Sequence, residues 1–121
     1  MSKTALVVDD SVTMRQMISF TLSGAGFDVV EADDGAVALQ QMDRRPVDVI
    51  ITDLNMPVMD GISFIRQART RPDSKHTPII MLTTESAPER KQEGKAAGAT
   101  GWIVKPFDPQ SLVQVMSKVL R

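Results

Sequence analysis

The sequence predicts an α/β protein: an open, doubly wound sheet of five parallel strands flanked by five helices. Three observations predict it. Short runs rich in Val and Ile stand out at Ala5–Val8, Val29–Val30 with its flanks, Val47–Thr52, Ile79–Leu82 and Trp102–Val104, mostly without polar alternation, as in strands buried on both faces. Between them, apolar residues recur at the helical period. Strand and helix alternate along the chain, which means a parallel sheet with right-handed crossovers. Five such units are too few for a (β/α)8 barrel.

The elements follow in order. After the first strand, Asp10 or Ser11 suits a helix cap, and Met14, Met17, Ile18, Thr21 and Leu22 mark an apolar stripe. Gly24 and Gly26 follow, where a left-handed residue commonly ends a helix. The second helix carries Ala38, Leu39 and Met42 and is followed by Pro46; the third carries Ile62, Ile65 and Ala68 and is followed by Pro72. The fourth, about Pro88 to Ala97, is unusual. It holds Arg90, Lys91, Gln92, Glu93, Gly94 and Lys95 and no large apolar residue. Ser86 and Glu89 have capping-box spacing before it. An interior glycine costs about 1 kcal/mol against alanine, so this helix is expected to be the least firmly packed. It is either an exposed helix held by small alanines or a mobile element used in switching. Asp108-Pro109 is a cap with proline at the first helical position, and Leu112, Val115, Met116, Val119 and Leu120 complete the fifth helix.

The chain has 121 residues, 42% of them hydrophobic, with 14 Lys+Arg against 15 Asp+Glu and a net charge of -1. A single domain over residues 1–121 is expected, with no linker or repeat inside it and no output domain. The near-neutral charge argues against nucleic-acid binding driven by phosphate contacts. No apolar run approaches the roughly 18 residues of a membrane span, and the first residues hold no apolar stretch of signal-peptide length. Cysteine is absent, which excludes disulfides, thiolate metal sites and thiol catalysis and fits a reducing cytoplasm.

In doubly wound sheets, sites form beyond the carboxyl ends of the strands. Asp9 and Asp10 follow the first strand, Asp53 the third, Thr83 and Thr84 the fourth, and Lys105 and Pro106 the fifth. Each has a plainer reading: a helix cap, a turn residue, a partner for any carboxylate. Jointly the plain readings fail, because all of these residues fall at one edge. Clustered carboxylates repel unless a cation neutralises them, and hard oxygen ligands without His or Cys favour Mg2+. With an ammonium and a hydroxyl beside it, such a site clamps a transferring phosphoryl group. The only histidine, His76, lies before the fourth strand at the wrong end and reads as a surface loop residue. With no Ser–His pair, the remaining nucleophile is a carboxylate, which forms an acyl phosphate.

Four motifs then stand in order: Val7-Val8-Asp9-Asp10-Ser11; Thr52-Asp53-Leu54-Asn55-Met56-Pro57 with Met59-Asp60-Gly61; Met81-Leu82-Thr83-Thr84-Glu85; and Val104-Lys105-Pro106-Phe107. Together they are highly specific, and over essentially the whole chain the sequence resembles the receiver domains of two-component response regulators, most closely the stand-alone chemotaxis type. The resemblance implies the strand order 2-1-3-4-5. It implies that Asp53 accepts a phosphoryl group from a histidine kinase (CheA-like), with Asp10, Asp53 and the backbone carbonyl of Asn55 as direct Mg2+ ligands and Asp9 acting through metal-bound water. Thr83 takes the place of the switch hydroxyl and Lys105 that of the lysine on a phosphoryl oxygen, with a cis Lys105-Pro106 bond. Asn55 and Glu85 fall where the family tunes dephosphorylation, and Thr84 and Pro106 support the site. Where the enteric chemotaxis relative has a switch tyrosine, this chain has Trp102 and no tyrosine at all. Trp102 is either a partner anchor or packing at the edge of the fifth strand.

The implied protein is a phosphoacceptor rather than an enzyme, one that assists its own phosphotransfer and autodephosphorylation. The face of the fourth helix, fifth strand and fifth helix would change its affinity for a partner. A phosphatase and a flagellar motor switch protein are the further partners implied. A monomer is expected, because no obvious apolar surface remains once the core is assigned. The competing roles are a phosphate sink and the receiver of a larger regulator. A phosphohydrolase of the haloacid dehalogenase type is disfavoured, since its nucleophile follows the first strand in a D-x-D arrangement and Asp9 and Asp10 are adjacent. Flavin binding is disfavoured by the scarcity of aromatics and of a Gly-rich phosphate loop.

Overall fold

The computed structural model describes residues 2–120, so Met1 and Arg121, the ends of the expected domain, lie outside the described residues. Five strands and five helices alternate: β1 (Thr4–Val8), α1 (Val12–Gly24), β2 (Asp28–Ala32), α2 (Gly35–Arg44), β3 (Val49–Thr52), α3 (Gly61–Arg69), β4 (Ile79–Thr83), α4 (Pro88–Ala97), β5 (Gly101–Val104) and α5 (Pro109–Val119). All strand pairs are parallel, and the order is β2-β1-β3-β4-β5, as the resemblance implied.

Alternation along the strands splits the core into two layers. Leu6, Val8, Ile50, Ile79 and Met81 face α2 and α3, while Ala5, Val7, Val49, Ile51, Ile80 and Leu82 face α1 and α5. Burial on both faces holds for β1, β3 and β4. It fails for β2 and β5, which are partly exposed, because an edge strand has a neighbour on one side only.

The helix starts follow the sequence. Side chains of Ser11, Asp34, Asp60 and Asp108 accept from backbone N–H groups at the starts of α1, α2, α3 and α5. The exception is α4. Its cap is Ala87, with no side-chain cap bond, so the capping box read from Ser86 and Glu89 does not form. Pro88 starts the helix, which leaves Ser86 one residue outside it and Glu89 one residue too early for the reciprocal bond. The other end of α4 is tied down firmly. Gly98 turns left-handed at φ +115, and its carbonyl accepts from Arg69 Nε at 3.1 Å and Nη2 at 2.8 Å. The same guanidinium donates to the carbonyls of Ser74 and Thr77.

The interior glycine of α4 has a packing reason. Gly94 is the one buried residue of that helix, and a Cβ there would meet Trp102 Cζ3 at 2.7 Å. The indole therefore lies in a notch that only glycine leaves open. The notch accounts for the glycine, while the rest of α4 is largely exposed, with Ala97 packed against the core.

Two expectations need correcting. Met17 does not face the core: α1 buries Ile18, Ser19 and Leu22, and Met17 falls on the outward flank of that line. Apolar surface also remains outside the core, since Val12, Met17, Phe20, Val58 and Val104 are exposed. The premise of the monomer expectation therefore does not hold.

The Gly94–Trp102 fit makes a prediction of opposite signs. Gly94→Ala gains helix propensity of about 1 kcal/mol but overpacks the indole, which typically costs about 1–3 kcal/mol. Urea denaturation should show net destabilisation in the parent chain and stabilisation in a Trp102→Val background. Equal effects in both backgrounds would remove the notch from the account.

Candidate functional site

Strand register builds the site. Val8 pairs with Thr52, so the next residues, Asp9 and Asp53, emerge side by side, and Asp53 N–H donates to the Val8 carbonyl at 2.9 Å. Thr83 pairs with Val104, which places Lys105 one step beyond the end of β4. Asp9, Asp10 and Asp53 each offer a carboxylate oxygen, and these lie within 4.8 Å of one another. Lys105 Nζ donates to Asp9 Oδ2 at 2.9 Å and Asp53 Oδ2 at 3.3 Å.

The remaining oxygens are held by backbone. Asp9 Oδ1 accepts from Ser11 N at 2.9 Å, and Asp53 Oδ1 accepts from Leu54 N at 2.7 Å. Asp10 is exposed and has no hydrogen bond among the described residues. Burial disfavours the charged form of Lys105, but its hydrogen bond to Asp9 and the negative fields of Asp53 and Asp9 outweigh that and raise its pKa. Even so, one ammonium faces three carboxylates. The donor set is all oxygen, with no nitrogen or sulfur ligand, and Asp10 opens it to solvent. That chemistry fits Mg2+, which takes one or two carboxylates and keeps several waters.

The loop from β3 to α3 folds tightly beneath Asp53. Gly61 N–H donates to the Leu54 carbonyl at 2.8 Å, and a Cβ on Gly61 would collide with the Asp53 carbonyl oxygen. Asn55 is exposed in this loop, and Val58 is left-handed at φ 68.

The other predicted residues ring this centre without joining it. Thr83 is fully buried, and its Oγ1 accepts from Glu85 N at 3.3 Å rather than bonding a carboxylate. Thr84 is exposed and has no hydrogen bond to the cluster among the described residues. The Glu85 carbonyl accepts the Trp102 indole N–H at 3.0 Å, and its carboxylate lies 3.9 Å from Arg90 Nε. Lys105-Pro106 is cis. His76 is exposed in the loop before β4, at the far end of the sheet.

Sequence reasoning missed Arg15. Its Nη1 donates to the Asp9 carbonyl at 2.6 Å, and its Nε pairs with Glu31 at 3.0 Å. The available signal was a lone cation one turn after the acidic pair, on the side of α1 that carries Ile18 and Leu22 inward.

The family model of the response regulator receiver domain matches residues 5–117. The chain belongs to this family. Among curated relatives, chemotaxis protein CheY1 of Helicobacter pylori is 44% identical over 117 residues, covering 95% of this chain and 94% of the relative. Chemotaxis protein CheY-3 of Vibrio cholerae is 39% identical over 115 residues, covering 94% and 88%. Among solved structures, chemotaxis protein CheY4 of Vibrio cholerae superposes with a TM-score of 0.95 at 52% identity, covering 99% of this chain and 100% of that one. The receiver domain of a Pseudomonas aeruginosa sensor histidine kinase, described with a magnesium ion coordinated in its active site cleft, superposes at 0.92 with 27% identity, covering 99% and 98%. This chain is thus a CheY-like response regulator receiver, and receivers are phosphoacceptors rather than conventional enzymes. Among the described residues, no helix of this receiver is long and apolar enough to cross a membrane.

Two outcomes follow for the receiver's acidic cluster. Asp10→Asn removes one repelling charge, so without metal it should raise the urea midpoint, and millimolar Mg2+, which should stabilise the parent chain, should no longer stabilise this variant. An unchanged metal-free midpoint would count against repulsion at the site. The raised pKa of Lys105 means that its charge stabilises the fold fully below the unfolded value of about 10.4. That contribution is lost as pH rises through the higher folded value. Metal-free Lys105→Met should therefore be less stable than the parent at pH 8, and the gap should close as pH rises through the raised folded value. A gap that stays constant with pH would place its cause in packing.

Proposed function

We propose that this receiver takes a phosphoryl group on Asp53 from a CheA-like histidine kinase, with Mg2+, and so carries a chemotaxis signal. The observation that carries this reading is the Lys105 ammonium bonded to both Asp9 and Asp53, with Asp10 within 4.8 Å. An Asp53 carboxylate oxygen attacks phosphorus, the P–N bond of the phosphohistidine breaks, and its electron pair leaves with the imidazole. The product is an aspartyl phosphate. Lys105 neutralises the equatorial oxygens, and Asp10, Asp53 and the Asn55 carbonyl would hold the metal, which would supply further positive charge there. Asp9 has both oxygens engaged, one by the Ser11 amide and one by Lys105, which suits it to act through water. Water later attacks phosphorus and releases inorganic phosphate, at a rate that Asn55 and Glu85 set.

Thr83 is the switch hydroxyl. Turning toward the new phosphoryl oxygens, it gives up the Glu85 amide and so disturbs the loop whose carbonyl holds Trp102. Pro106 and Thr84 shape the rim. The face of α4, β5 and α5 then changes its affinity for an output partner, of which a flagellar motor switch protein is the foremost, and a phosphatase ends the signal. The chemotaxis assignment rests on the named relatives.

Acetyl phosphate with Mg2+ should add one phosphoryl group by intact mass. The adduct should be absent without Mg2+ and absent in Asp53→Asn. A parent chain that takes no phosphoryl group, or a mutant that still does, overturns the reading.

A further inference from the structure

Asp9 is engaged at every polar atom. Its carboxylate oxygens accept from Ser11 N and Lys105 Nζ. Its N–H donates to the Ala32 carbonyl at 3.1 Å. Its own carbonyl accepts from Arg15 Nη1 at 2.6 Å and, among the described residues, from no other donor. Asp10 is the opposite case. It is exposed and its side chain has no hydrogen bond among the described residues, yet its carboxylate lies within 4.8 Å of those of Asp9 and Asp53. The peptide that joins the two residues is planar and runs from the Asp9 carbonyl to the Asp10 Cα. The Arg15 hydrogen bond therefore fixes the plane from which Asp10 projects.

The placement of Arg15 needs a reason. It is the only charged residue of α1 and lies one turn from the helix start, the end where the dipole favours anions. Its side chain is only 16% exposed. Glu31 sits on the edge strand β2 and pairs in register with Val7, which faces α1, so it meets Arg15 on that face and accepts from Nε at 3.0 Å. A guanidinium is planar, so holding Nε aims Nη1 at the Asp9 carbonyl. Glu31 also cancels the positive field of Arg15 beside the acidic cluster. The pair delivers a hydrogen bond without a net charge.

We infer that Arg15, steered by Glu31, is a positioning residue for the metal site: it fixes the Asp9–Asp10 peptide so that the Asp10 carboxylate stands ready beside Asp53 for Mg2+. This rests on the proposed Mg2+-dependent phosphotransfer to Asp53. The two ways in which Arg15 can act on a metal have opposite signs. Through charge alone it repels a cation, so its removal tightens Mg2+ binding. Through geometry, its removal frees the peptide and weakens binding, as loss of the groups that orient metal ligands does by about 10–100-fold. Asp10 itself stays, so binding is weakened rather than abolished.

The test reads metal affinity without turnover. Urea midpoints are followed across a Mg2+ series at constant ionic strength, and their rise gives the dissociation constant. The variants are Arg15→Met, Arg15→Lys, and Arg15→Met combined with Glu31→Met, which keeps the net charge of the parent. Each should raise the Mg2+ Kd by about tenfold or more. Arg15→Lys keeps the charge but not the fork, and it carries the test if the methionine variants do not fold. At saturating Mg2+, the acetyl phosphate rate of the variants should return to within about threefold of the parent, because the loss lies in metal binding. A Kd that falls in Arg15→Met reduces Arg15 to its charge and overturns the inference. A Kd within about twofold of the parent, with a lower metal-free midpoint, reduces it to a brace between α1 and β2 and also overturns it. A parent whose midpoint does not respond to Mg2+ instead removes the underlying reading of the metal site.

Discussion

The site depends on one ion cluster: Lys105 set between Asp9 and Asp53. Parallel register makes the cluster unavoidable, because Val8 and Thr52 pair and the next residue on each strand is an aspartate. Two carboxylates at the end of a dry core are costly unless a cation meets them. The strand order places β5 next to β4, three positions from β1 and two from β3, and a long flexible amine closes that distance. The backbone does the rest, with the amides of Ser11 and Leu54 each holding one oxygen. Fold and chemistry share these contacts, so the groups that would receive the phosphoryl group also close the carboxyl end of the sheet.

Much of this was legible in the chain because period and punctuation agree. The apolar runs, the caps at Ser11 and Asp108, and the breaks after the first three helices are local signals, and local signals survive folding; the caps at Asp34 and Asp60 were equally local but went unread. The acidic cluster was legible as a shared position, the end of each strand. What could not be read depends on contacts distant in sequence. Gly94 looked like a weakness in a polar helix until Trp102 filled it. Arg69 gave no sign that it would bind the end of a helix 29 residues later. Arg15 was visible only as a charge on the inner side of an amphipathic helix. The Ser86–Glu89 box failed because a one-residue shift in helix start, set by Pro88, changes which residues face one another. Met17 was misplaced for a similar reason, since a three-residue step from Met14 leaves the core line.

The fourth helix is attached unequally. Its last turn is bound by Arg69 and its middle by the indole, while its first turn has no side-chain cap. That uncapped end, linked to Glu85 only by the long Arg90 pair, is also the end nearer Thr83. A change at the phosphoryl site therefore reaches this helix at its weakest attachment, and the bound end acts as the fixed point.

The chain has one tryptophan and no tyrosine. That indole lies between β5 and α4, with its N–H held by a carbonyl two residues beyond Thr83. All ultraviolet emission above the weak phenylalanine signal therefore comes from a single ring at the junction of site and output face. The molecule carries its own optical gauge, which reads the separation of α4 from the sheet without any added label.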